Sequence, residues 1–226
     1  VGDCSPEQVK KTIERFYEGM SRGADPPPVI PVEDPQQGER RAIQHRTVEA
    51  GALLAGFHVP ALNHPDAVPL LALSTLLTEG ESSRLYRGLV QNGHAGVVHS
   101  ALGLSFLNRD PTLFRLDLIA NPGDPLHRIE SELWEEIDRI HQDGIQASEV
   151  RRATKQLQAN LVLEARTCFY RGLQLGLYQV RAGDWRFVNR LMDGFGKLTA
   201  DDITRVARTY LVPANRTVVT VLPEKK

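Results

Sequence analysis

The sequence predicts an α+β fold, an antiparallel sheet covered by helices. Three observations lead to it. Apolar residues alternate in segments that come as neighbouring pairs in the first half. The second half is almost continuous amphipathic helix. A last apolar strand, residues 217–222, follows the final helix, so strands and helices are grouped rather than interleaved as in a parallel sheet.

The elements follow in order. Ser5-Pro6-Glu7-Gln8 starts a helix, with Ser5 as cap and Pro6 in the first turn. Val9, Ile13, Phe16 and Tyr17 then form an apolar stripe. Residues 23–39 hold five prolines and no helical period, which reads as an extended linker. Leu53, Ala55, Phe57 and Val59 alternate with Leu54, Gly56 and His58, a half-buried strand. Residues 40–48 are its expected hairpin partner, with the turn near Glu49–Gly51. Asn63-His64-Pro65-Asp66 opens a Leu- and Ala-rich helix to about Leu77, and a short helix spans about Ser82–Gln91. Residues 96–106 and 112–120 form a second antiparallel pair around the turn Asn108-Arg109-Asp110-Pro111. Asp124-Pro125 caps a helix to about His141, buried through Leu126, Ile129, Leu133, Ile137 and Ile140. Ser148 begins a long helical region to about Arg181, with a break near Arg166–Thr167. A helix over 185–195 follows, and Thr199-Ala200-Asp201-Asp202 caps a last one with Ile203, Val206, Ala207 and Tyr210 inward.

The chain has 226 residues, 41% hydrophobic and 24% charged, enough for a normal core. A formal net charge of −1 argues against a nucleic-acid binder, which needs a basic surface. No apolar run reaches the ~18–20 residues of a membrane span. Cys4 and Cys168 form no metal-type cluster and read as free thiols, able to pair only if the fold brings them together. The opening "VGD" reads as the tail of a buried strand, without initiator Met or signal peptide. The expectation is a piece of a longer chain.

Catalytic chemistry is hard to assemble. The His-x-x-Glu-His zinc signature and its inverted form are absent. His127-Arg128-Ile129-Glu130-Ser131 lacks the second histidine and lies on an amphipathic helix. His94 and His99 are an odd number apart, so on one strand they face opposite ways. His45 and His58, placed on the expected hairpin, lie roughly 13 Å apart along the strand, too far for one ion. Gly80-Glu81-Ser82-Ser83-Arg84 misses the G-x-S-x-G elbow, since Arg84 replaces the last glycine, and Ser82 or Ser83 reads as a helix cap. Glu79 and Glu81 make that turn a poor anion cradle. The adjacent pairs Glu135-Glu136 and Asp201-Asp202 diverge by about 100° on a helix and read as solvated or dipole-stabilising groups. Cys168 has no Cys-His partner signature and reads as a buried structural thiol.

The order of motifs is itself informative. "VGD" with "SPEQVKKTIERFYEGM", then "FHVPALNHPDAVPLLALSTLLTEGESSRLYRGLV", then "YLVPANRTVVTVLPE" resembles the second, non-metal-binding domain of the pitrilysin/insulinase-type zinc peptidases, which include the mitochondrial processing peptidases. The resemblance covers nearly all of the chain. It implies a two-layer sandwich, two or four of which pair into a clam-shaped chamber. It implies a single inactive domain over 1–226: a residual strand and helix over 1–22, the linker over 23–39 and the main body over 40–226. It places zinc and its His-x-x-Glu-His in a domain before Val1 or in a partner subunit, so no catalytic, metal-binding or substrate-binding residue is expected in this chain. Where the family's substrate-gripping halves carry Arg and Tyr after a leucine matching Leu89, this sequence has Val90 and Val97, neither able to donate a side-chain hydrogen bond. An offset of the pattern would bring His94 there instead. The glycine-rich substrate loop is also missing. The implied partners are the upstream zinc-bearing domain or a partner subunit, a peptide substrate and, for the isolated domain, a second copy. Periplasmic location follows by family analogy. The competing readings are a non-enzymatic scaffold of the same family and an independent small-molecule hydrolase.

Overall fold

The computed structural model describes residues 1–27, 33–93, 95–100 and 108–224. Strand β1 is Arg40–Arg46, β2 Ala52–Val59, β3 Ala95–Ser100, β4 Thr112–Ala120 and β5 Arg216–Pro223. Among the described residues they form one sheet in the order β1-β5-β2-β4-β3. The expected α+β class holds, and every pairing but one is antiparallel. Strand β2 is central. Leu53, Ala55, Phe57 and Val59 are buried on its helix side, with Leu53 opposite Leu118 and Phe57 opposite Phe114 on β4. Strand β3 pairs with β4 as expected; the rest of its expected span, residues 101–106, lies outside the described residues.

The expected hairpin between residues 40–48 and β2 does not form. Strand β5 lies between them, antiparallel to β2 and parallel to β1, with Arg41 opposite Val218. Composition explains the swap. All seven residues of β1 are exposed, and Arg40, Arg41, Gln44, His45 and Arg46 suit an edge. The Val-rich β5 suits an interior position. Gly51, the expected turn residue, is instead a point of close approach. A Cβ there would sit 2.7 Å from Leu126 Cδ1, and its carbonyl accepts the Ala120 N–H at 2.9 Å.

One face of the sheet carries the helices: α1 (Pro6–Tyr17) stands apart, and α2 (Ala67–Thr78), α3 (Leu126–Asp143), α4 (Ala147–Glu164), α5 (Cys168–Ala182), α6 (Phe187–Lys197) and α7 (Ala200–Tyr210) make up the body. Helix α2 is apolar all round, and ten of its twelve residues are buried, against α4, α6 and α7 among others. Its cap residue Asp66 makes no side-chain cap bond. The carboxylate instead accepts Arg205 Nη2 at 2.6 Å and Tyr210 Oη at 2.7 Å, which ties the start of α2 to α7. Burial alone would raise the Asp66 carboxyl, but these bonds and the Arg205 charge hold it below the usual range. Thr199 and Asp202 cap α7 reciprocally, as expected. The α4–α5 break falls between Glu164 and Cys168, again as expected. Asp124 does not cap α3; Pro125 holds that position, and Asp124 takes the Asn121 amide at 3.2 Å. Helix α1 is capped by Ser5 Oγ, which accepts the Gln8 N–H at 3.4 Å. None of its residues is buried: Val9 is 40% exposed, Ile13 53% and Phe16 71%. Residues 1–5 form no strand.

The stretch Ser82–Gln91 is not a regular α-helix. After Arg84 and Leu85 it widens into a π-helical turn, Tyr86–Val90. Neither serine makes the expected cap among the described bonds, and the Ser83 hydroxyl is buried with no partner. The organising residue is Arg84. Its Nε and Nη2 donate to both Glu149 oxygens at 2.8 Å, Nη1 to Glu136 Oε1 at 3.2 Å and Nη2 to the Gly144 carbonyl at 3.3 Å. One guanidinium therefore joins α3, α4 and the loop between them. Gly144 has φ 73°, and a Cβ there would face Thr204 Oγ1 at 3.3 Å. Glu136 is consequently not the solvated group expected from its sequence neighbourhood; it is 8% exposed and bound by Arg84 and Arg139. Burial alone would raise the Glu149 carboxyl, but the Arg84 bonds outweigh it and leave it lowered.

Two stability predictions come from this clamp. Arg84→Ala leaves the largely buried Glu149 without its ion pair and Glu136 with Arg139 alone, and is expected to cost about 3 kcal/mol in urea unfolding. Arg84→Lys should recover only part of that, because an ammonium cannot span both Glu149 oxygens. Ser83→Ala removes an unpartnered hydroxyl. Its urea midpoint should match or exceed wild type, and a loss above ~1 kcal/mol would show a hydrogen bond that the structure does not contain.

Candidate functional site

The sequence-level candidates are scattered by the fold. His45 stands on edge strand β1 and His58 on β2, with β5 between them, so the hairpin geometry used to separate them is replaced by a longer path. His58 Nδ1 lies 3.6 Å from Glu33 Oε2. His94 lies outside the described residues, and His99 is placed only by its backbone, opposite Asp117. His127 and Glu130 share α3, but Glu130 is engaged elsewhere. It accepts the Trp134 indole N–H at 3.0 Å and pairs with Arg41 of β1. Burial alone would raise its carboxyl, yet Arg41 and Trp134 hold it lowered. Among the described residues no three His, Cys, Asp or Glu side chains are grouped to hold a metal ion.

Ser83 is fully buried, so its hydroxyl cannot reach a substrate. Leu89 is buried beneath the π-helical turn, and Val90 ends that turn half-buried. Val97 sits in β3 opposite Ile119. Cys168 opens α5 and is exposed, contrary to the buried thiol expected from its apolar context. The helix turns its reactive first residue outward and buries Tyr178 instead.

One cleft was not foreseen from the sequence. It lies in the angle between α4 and α5 and holds about 590 Å³. Leu163, Tyr170, Leu173 and Leu177 give it apolar walls, with Glu164 and Tyr178 among its polar groups. The size is typical of a small-ligand pocket. Burial raises the Glu164 carboxyl. Burial, reinforced by the Glu164 charge, pushes the Tyr178 phenol up to about 12. The lining contains no histidine, cysteine or serine, and its polar groups include Glu164, Thr167 and the two phenols Tyr170 and Tyr178. The signal available in sequence was the break at Arg166–Thr167, with Tyr170, Leu173 and Leu177 at helical spacing after it.

Two apolar surfaces have no partner among the described residues. One is the stripe on α1. The other is the helix-free face of the sheet, where Leu113 is 45% exposed, Ile119 44%, and Leu54, Val219 and Val221 are half-buried.

Comparison with known proteins gives the chain a family. The family described as the peptidase M16 inactive domain matches residues 1–157, more than half of the chain. The zinc protease PqqE of Helicobacter pylori is 25% identical over 99% of this chain, which spans 50% of that relative. A solved protease from Helicobacter pylori is 26% identical with a TM-score of 0.87, over 99% of this chain and 54% of its own. The periplasmic protease PqqL from Escherichia coli shares the fold at a TM-score of 0.72, with 15% identity over 99% of this chain and 25% of its own. The chain thus spans about half the length of the curated relative it matches.

Two phenols supply a spectroscopic test of the geometry. Tyr178 and Tyr210 are both pushed up to about 12, each chiefly by burial, and Tyr210 also by its bond to Asp66. A raised phenol stabilises the fold below the unfolded value of 10.0, and that contribution fades as pH climbs through about 12. Absorbance titration should show two late-ionising tyrosines, with Tyr178→Phe and Tyr210→Phe each removing one. A wild-type titration complete by pH 11 would contradict the burial of both.

Proposed function

Because the chain belongs to the peptidase M16 inactive-domain family, we propose that it serves as the non-catalytic, chamber-forming domain of a zinc metallopeptidase. The observation that carries this reading is the match to zinc protease PqqE over nearly the whole chain but half of the relative. The donor set fits that division of labour. No described group of His, Cys, Asp or Glu suits a zinc ion, so no step of hydrolysis is assigned to these residues. Metal activation of water, the usual route of such peptidases, belongs to a separate zinc-bearing domain. This domain supplies walls and an interface. The exposed stripe of α1 and the helix-free sheet face are the surfaces that a neighbouring domain, upstream or in a partner subunit, would cover. The substrate is a peptide held in the shared chamber. Val90, in place of an arginine, leaves the chain without that donor for gripping it. A periplasmic setting is supported by the shared fold with PqqL.

Expressed by itself, the chain should take up no stoichiometric zinc in equilibrium dialysis, leave peptides uncut and self-associate in sedimentation. Mixed with a zinc-bearing domain of the PqqE type, it should co-elute and restore cleavage. One tightly bound zinc per isolated chain, or cleavage by that chain alone, overturns the proposal.

A further inference from the structure

The only two cysteines of the chain are far apart in sequence, yet both meet the same glycine. Residues Gly2–Cys4 form a tight turn in which the Cys4 N–H donates to the Gly2 carbonyl at 3.0 Å. The Cys4 thiol points at that carbonyl, 3.7 Å away. Cys168 Sγ lies 3.6 Å from the position that a Cβ on Gly2 would occupy. Val1 packs next to it, with Cγ2 3.8 Å from the corresponding position on Gly172. The start of the chain therefore lies along the first turn of α5, and the two thiols flank one peptide unit. Both are exposed, so a dissolved oxidant reaches each.

We propose that Cys4 and Cys168 are a modification site: an intrachain cystine that pins the start of α1 to the start of α5. The co-reactant is a small-molecule disulfide of the glutathione type. One cysteine thiolate attacks a sulfur of that disulfide, forms a mixed disulfide and expels one thiolate. The second cysteine then attacks the protein sulfur, the protein S–S bond forms, and the second thiolate leaves. Two protein thiols are oxidised, one small disulfide is reduced to two thiols, and the two protons pass to those products. A cystine needs Cα atoms within about 7 Å, so its formation requires the exposed turn at Gly2 to close on the start of α5. The cystine would close most of the chain into one loop, which restrains the unfolded state more than a short loop does. It would also give α1 a covalent hold that its packing does not supply, since no residue of that helix is buried. This inference stands on the thiol positions and does not depend on the peptidase reading.

The test is to incubate the chain with oxidised and reduced glutathione at several ratios, then quench with acid. Intact mass, free-thiol titration, a non-reducing peptide map and thermal melting are read on each sample. Expected is a monomer two hydrogens lighter, with no free thiol and a single linked pair of peptides containing Cys4 and Cys168. Its melting temperature should exceed that of the reduced chain, and Cys4→Ser and Cys168→Ser should each abolish the difference. Separate glutathione adducts on the two cysteines, disulfide-linked dimers, or two thiols that stay free under oxidising ratios would each overturn the proposal.

Discussion

The body of this domain depends on one guanidinium. Arg84 leaves a distorted helical turn and binds two carboxylates and a carbonyl on α3, α4 and the loop between them. A planar fork is needed for this, because only arginine can address both oxygens of Glu149 while reaching Glu136. The π-helical turn follows directly after it. The stretch Glu81-Ser82-Ser83-Arg84-Leu85-Tyr86 thus acts through its arginine as a joint, and neither serine makes a helix cap among the described bonds. A second ionic joint, Asp66 with Arg205 and Tyr210, fastens the central helix at its opposite end. Between the two, α2 needs no polar face.

Periodicity made most of this fold legible. The inward residues of β2, the stripe on α3, the α4–α5 break and the Thr199 cap are all visible as local pattern. What pattern could not show was partner choice. Residues 40–46 follow β2's expected partner rule in sequence and violate it in space, because the partner that suits β2 lies at the far end of the chain. Glu136 was misread for a similar reason. Its helical neighbours Ile129, Leu133 and Ile140 are buried, and pairing with Arg84 from another element and with Arg139 makes its own burial tolerable. The cleft between α4 and α5 left only an indirect trace in sequence, the break at Arg166–Thr167 and the apolar spacing after it. The cleft and the thiol pair at Gly2 become visible only in the folded chain.

The two unpartnered surfaces tell a coherent story with the half-length match. A twelve-residue amphipathic helix with nothing buried is unlike a helix of a finished core. The sheet offers the complementary feature, one face sealed by helices and the other bare and apolar in part. A covering domain would satisfy both at once. The cleft lined by α4 and α5 contains a carboxyl that burial raises and a phenol pushed up to about 12.

The position of β5 also constrains how the chain can be made. Its partners on either side are β1 and β2, synthesised long before it. Until residues 216–223 leave the ribosome, β1 has no neighbour and β2 has one bare edge. The sheet is therefore assembled late, by insertion of a strand between two waiting ones, and its folding rate is set by a long-range closure. During synthesis the helices around α2 can gather on an incomplete sheet, with an apolar strand edge exposed in the interval. A domain built this way gains from a companion that shields that edge early.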